Sequence, residues 1–145
     1  MYHDINTVEN DVEYLLRNYQ QAALGTNGKR YPEVSKVTPV LADDDTIYLL
    51  LSDLSTHTRN LYEVSRTVSV YFVGESRHAT EMNNPRVTLF GKLEMVTDRP
   101  KKDFLEMFNK RDPGATMYGQ FGDFNVWRFV EQDRIYIEGF GKAYK

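Results

Sequence analysis

The sequence predicts a small antiparallel β-barrel with helices at its rim, a mainly β fold. Three observations carry that prediction: roughly six strand-like runs, only two or three helical ones, and no regular alternation of strand and helix of the kind a doubly wound parallel sheet requires. One domain over residues 1–145 is expected, because a chain of this length with 41% hydrophobic and 13% aromatic residues can fill a single core. No internal repeat, low-complexity tract or linker divides it.

The elements follow in order. From Thr7 to Tyr19, Val8, Val12, Leu15, Leu16 and Tyr19 recur at helical spacing while Glu9, Asn10, Glu13 and Arg17 face away, so an amphipathic first helix is expected. Asn27-Gly28 lies between two strand-like runs and signals a hairpin. A strand over about 30–41 carries Val34, Val37 and Val40, with Pro39 implying an edge or a bulge. Asp43 to Asp45 make a turn into Ile47 to Leu51. A short helix follows, with Ser55 or Thr56 as its cap and Leu61 and Val64 packing inward. Strands are expected over 67–73 and 86–96, the latter interrupted by Gly91. The run 99–114 then reads as a helix with proline near its start and a Pro-Gly stop, and two short strands, about 125–130 and 134–140, finish the chain.

Charge and composition exclude several roles. Eighteen basic against twenty-one acidic residues give a formal charge of -3, and no basic run marks a nucleic-acid or anionic-membrane partner. Cysteine is absent, which removes disulfides, thiolate metal sites and a cysteine nucleophile. The acidic start lacks the blocks of a signal peptide and no stretch has the length of a membrane span, so a cytoplasmic protein is expected.

The most donor-rich turn leaves the most apolar strand. In LLLSDLSTHTRNLYE, residues 49–63, a helix N-terminus with its free N–H groups is joined by the hydroxyls of Ser52, Ser55, Thr56 and Thr58, the imidazole of His57 and the guanidinium of Arg59. Two readings stay open: a phosphate site, or serine and threonine capping a surface helix. The aromatic group Tyr118, Phe121, Phe124, Trp127 and Phe129 likewise could cover a planar cofactor or fill a core or interface.

The segments YPEVSKVTPVLADDDTIYLLLSDLSTHTRNL (31–61), RVTLFGKLEMV (86–96), GDFNVWRF (122–129) and GFGKAY (139–144) resemble the pyridoxamine 5'-phosphate oxidase-like FMN-binding split barrels. Among these, the resemblance is to the haem-utilisation group that includes HugZ and HutZ. It implies an antiparallel split barrel, a homodimer with two flavin clefts at the subunit interface, and a cofactor phosphate near the strand-to-helix turn. Ser55 fits the serine of the oxidases' Ser-Arg-Lys motif, Thr56 and His57 stand in its basic places, and Ser52 falls on the hydroxyl residue closing the strand. Arg86 falls where the oxidases place a glutamine near the flavin ring. Ser35 and Val40 replace two basic phosphate ligands, for which Lys36 and Arg59 are the available substitutes. Of the aromatic group, Trp127 is the residue nominated to contact the cofactor.

The expected activity is that of an FMN-dependent oxidoreductase, with haem binding or degradation and a non-catalytic cofactor-binding module as the alternatives. In the haem-degrading relatives the axial histidine lies beyond the G-F-G-x-A-Y segment, after which this sequence has only Lys145. Asp123 matches an aspartate near their haem, and His57, His78 or the partner chain would have to supply the ligand. His78, a lone loop histidine, reads as solvated, and His3 as terminal. The glycines of GFGKAY precede no helix, Asp43 to Asp45 lack the rest of a calcium loop, and no side chain is nominated as catalytic. Dimerisation is expected to cover an apolar face formed by Phe72, Leu89 and Trp127.

Overall fold

A two-residue link dictates the architecture. In the computed structural model, which describes residues 1–145, strands β2 (Pro32–Val37) and β3 (Val40–Leu41) are separated by Thr38 and Pro39 alone. Yet they stand at opposite ends of the sheet, whose order is β2-β1-β5-β6-β7-β4-β3. Two residues span at most roughly 11 Å between flanking Cα atoms, so the two edges must meet and the sheet must curl. The remaining strands are β1 (Gln21–Asn27), β4 (Ile47–Ser52), β5 (Thr67–Val73), β6 (Arg86–Met95), β7 (Phe124–Gly139) and β8 (Lys142–Tyr144), which pairs with β7. Every pairing between these strands is antiparallel.

The single strand expected over 30–41 is therefore two. Pro39 has no N–H to give a ladder; it is buried at the corner, and its carbonyl accepts the Tyr19 hydroxyl at 2.6 Å. Conversely, the two last strands are one. Opposite Phe90 and Gly91 the register slips, leaving Gln132 unpaired between Glu131 and Asp133, so the expected break is a bulge inside a 16-residue strand. Gly91 belongs there because a Cβ would stand 2.1 Å from the Val130 carbonyl oxygen. The predicted hairpin forms between β1 and β2, but its turn spans residues 28–31: Asn27 pairs with Pro32, and the Gly28 N–H bonds the Tyr31 carbonyl at 3.0 Å.

Three helices flank the barrel. Helix α1 (Glu9–Asn18) follows a 3-10 turn at Ile5–Val8 and buries Val12, Leu15 and Leu16. Helix α2 (Thr56–Glu63) buries Leu61, but Val64 lies past its end with non-helical dihedrals and is 41% exposed, contrary to the expectation. Helix α3 (Lys102–Arg111) buries Phe104, Leu105 and Phe108, and a further turn, α4 (Ala115–Tyr118), starts from Gly114 at φ 107. Strand β4 explains its own leucines: Ile47, Leu49 and Leu51 enter the barrel core while Tyr48 joins Phe104 and Phe108 beneath α3 and α4. A strand covered on both faces reads as a continuous apolar run.

The face expected to be covered by a partner is corrected. Phe72, Leu89 and Trp127 are 1%, 0% and 0% exposed and form the centre of the core. Because strand side chains alternate, the outward face carries their neighbours: the cross-strand rows Lys36, Ala23, Tyr71, Thr88, Ile135 and Val34, Gly25, Ser69, Phe90. No helix is long and apolar enough to cross a membrane.

Candidate functional site

The site grows from the end of β4. The Ser52 hydroxyl donates to Asp123 Oδ2 at 2.6 Å and accepts the Leu54 N–H at 3.1 Å, while the Asp53 N–H bonds the Asp123 carbonyl at 2.6 Å. The Asp53 carboxylate receives the Tyr62 hydroxyl at 2.8 Å and the Asn125 side-chain amide at 3.1 Å. Burial, then this hydrogen bond and the carboxylate charge, push the Tyr62 phenol up to about 12, so it remains a donor. The turn is thereby fixed before the helix begins.

At the start of α2 the donors are unspent. The Ser55 carbonyl accepts the N–H groups of Thr58 and Arg59, both at 3.1 Å, but its hydroxyl makes no cap bond, and the N–H groups of Thr56 and His57 have no protein partner. Ser55 and His57 border a cleft of about 530 Å³ on the outer side of β4, whose walls also include Lys36 and Thr38 from the β2–β3 corner, Leu50 and Ser52. Asp112, Tyr118 and Phe124 close the other side. Lys36 has no carboxylate within ion-pair distance and is the one cation on the wall. His57 Nε2 is buried with no partner. Burial pulls the imidazole pKa down, with the Glu33 charge opposing, so the ring is neutral at neutral pH.

Of the residues singled out in the sequence, Lys36, Ser52, Ser55 and His57 come together here, with Tyr118 and Phe124 of the aromatic group opposite them. The other cofactor candidates do not. Thr56 and Arg59 lie on the opposite face of α2, in a recess of about 430 Å³ shared with the 28–33 hairpin. Thr58 is fully buried, its hydroxyl unpartnered inside the fold. Arg86 gives its guanidinium to the carbonyls of Met82 (2.7 Å) and Asn84 (3.1 Å), away from the cleft. Trp127 has no exposed surface to offer a cofactor; its neighbours are Tyr62, ring centroids 5.6 Å apart, and Arg66, 5.1 Å over its face. His78 does not reach the cleft, and its N–H is bonded to Asn84 Oδ1.

Three features escape a reading of the sequence. Asp112 and Tyr118 form a hydrogen bond of 2.5 Å on the cleft wall, and burial followed by that carboxylate raises the phenol well above its ordinary pKa. Lys101 clamps the wall by donating to the carbonyls of Phe121 (2.8 Å) and Phe124 (2.9 Å). A larger groove, about 720 Å³ between α1 and α3, has two of its arginines already committed: Arg17 pairs with Glu13 and Asp45, and Arg111 stacks 3.6 Å above Tyr19 while donating to Gln20.

The model of the CREG β-barrel family matches residues 12–145. The chain belongs to that family. Among curated proteins this CREG β-barrel is similar to the haem oxygenase HutZ of Vibrio cholerae, with 23% identity over 133 residues, 89% of this chain and 73% of the relative. Among solved structures it resembles a haem-binding protein from Mycobacterium smegmatis (TM-score 0.76, 25% identity), covering 88% of this chain and 52% of that one. It also resembles a Clostridium acetobutylicum protein related to general stress protein 26, of the pyridoxinephosphate oxidase family (TM-score 0.69, 18% identity), covering 94% and 92% of the two chains. This CREG β-barrel thus has the split-barrel fold of the oxidase-like proteins, as its sequence motifs suggest.

Proposed function

We propose that the cleft at the start of α2 holds the phosphate of flavin mononucleotide and that the chain is a flavin-dependent oxidoreductase. One observation carries the reading: a free hydroxyl on Ser55, a free N–H group on His57 and an unpaired Lys36 ammonium border one cleft at a helix N-terminus. The residues present fit a phosphate monoester, with Tyr118 and Phe124, whose ring centroids are 5.1 Å apart, as an aromatic wall for a planar body. A bound flavin supplies the electron-transfer chemistry. The protein's own share is to bind the anion, orient the ring and exclude water.

A second reading is haem. It is favoured by the neutral, buried and unpartnered Nε2 of His57, the protonation state a metal needs, and by the haem-related functions in the names of HutZ and the M. smegmatis protein. One titration series tests both. FMN is expected to bind at least tenfold more tightly than riboflavin, by the strength of a charge-assisted contact to its phosphate, about 1.5 kcal/mol or more. Equal affinities would remove the phosphate site. Saturable haemin binding whose absorption band shifts in His57→Ala, alongside no FMN binding, would install the haem reading instead. Because burial lowers the His57 pKa, that ligation should persist below the pH at which an exposed histidine protonates.

The homodimer belongs to the same proposal. Lys36 both borders the cleft and begins the outward row that runs through Ala23, Tyr71, Thr88 and Ile135, a face with 77% of Val34 exposed beside it. A second copy docked there would cover that apolar surface and close the cleft at its rim. Light scattering at micromolar concentration should give twice the chain mass, and Tyr71→Glu should return it to one; a wild-type monomer would refute the assembly.

A further inference from the structure

We propose that Asp112 restricts this cleft to ligands carrying a single anionic group, an inference that rests on the cleft being an anion site. The wall has two charged side chains facing each other's territory: Lys36 on the side of the α2 N-terminus, and Asp112 on the side of α4. His57, the remaining titratable group near the anion end, is neutral, and Tyr118 keeps its proton.

Asp112 is held where it is. It caps the end of α3 in an extended conformation, its N–H bonds the Phe108 carbonyl at 2.8 Å, and its Oδ2 accepts the Tyr118 hydroxyl at 2.5 Å. No cation neutralises it within ion-pair distance, and Oδ1 has no protein donor. Oδ1 therefore leaves the full charge of the group to act on whatever shares the cleft. A cavity of about 530 Å³ is on the order of 8 Å across, no more than a Debye length, so salt does not hide one end from the other. An anion seated on the Ser55 hydroxyl and the His57 N–H is attracted by Lys36 and tolerates Asp112 at the far side. A second anionic group attached to the first must extend toward the carboxylate, where like charges oppose it. The cleft thus selects by charge number as well as by shape, favouring a phosphate monoester over a diphosphate.

The Asp112→Asn variant isolates the effect, since the amide oxygen still accepts the Tyr118 hydroxyl while the charge is gone. Binding of inorganic phosphate and of pyrophosphate is read from the imidazole resonances of His57, a probe that needs no flavin. Asp112→Asn is expected to gain about tenfold in pyrophosphate affinity and less than threefold in phosphate affinity, on the Coulomb scale for charges this far apart. Tyr118→Phe, which keeps the charge and loses the hydrogen bond, should keep the wild-type ratio. An unchanged ratio in Asp112→Asn, the same gain in Tyr118→Phe, or no response of His57 to phosphate would each overturn the inference. Failure of the flavin reading looks different: phosphate and pyrophosphate still separate as described, but FMN and riboflavin bind equally or not at all.

Discussion

Trp127→Ala should cost about 3–5 kcal/mol of stability, the range for deleting a large aromatic side chain from a packed core. Trp127 has no exposed surface; it sits on β7 with Leu49 of β4 on one side and Met95 of β6 on the other, and Tyr62 meets its ring edge-on from α2. One term works against the loss. The indole Nε1–H is buried without an acceptor, so removing it relieves a donor whose burial costs about 1–3 kcal/mol. Trp127→Phe helps to separate the two terms, because it keeps a six-membered ring and loses the unpaired N–H along with only part of the indole, and it should therefore lie closer to wild type than the alanine variant does. Urea midpoints at unchanged slope provide the measurement. A near-neutral Trp127→Ala that instead alters flavin or haem binding would put the indole back on a cofactor, as its place in the aromatic group suggests.

How much of this was legible in the chain depends on distance along it. The period-three-and-a-half stripe of Val12, Leu15 and Leu16 and the Pro-Gly stop before Ala115 are local signals, and both elements stand where they were expected. Pro39 was read as an edge feature; that it marks a passage from one sheet edge to the other depends on which strands pair, which no local pattern states. The polar interruption after Val130 divides the run into two expected strands, whereas a bulge of one residue, Gln132, produces the same pattern without ending the strand. Within α2 the information was present and unused. Thr56, Arg59, Asn60 and Glu63 are spaced i, i+3, i+4, i+7, one helical face, and all four line the hairpin recess, while Ser55 and His57 turn to the cleft. Treating the polar turn as one cluster merged two sites. Tyr118 was legible only as one of an aromatic group and Asp112 not at all, since they reach the cleft from about sixty residues downstream of Ser55.

That division of α2 yields the sharper functional expectation. Lys36→Ala is expected to weaken FMN about tenfold and riboflavin hardly at all. A charge-assisted hydrogen bond to phosphate is worth about 1.5–3 kcal/mol, tenfold to a hundredfold in affinity, and the lower end applies because Lys36 is exposed and solvent screens its charge. The same screening gives the effect a salt dependence: the gap between wild type and Lys36→Ala should narrow as ionic strength rises. Arg59→Ala is the control. Its guanidinium faces the hairpin recess across the helix from Ser55 and His57, so its removal should leave both flavins bound as before. If Arg59→Ala costs more FMN affinity than Lys36→Ala, the phosphate sits on the hairpin side of α2, and the cleft bounded by Asp112 and Tyr118 is not the cofactor site.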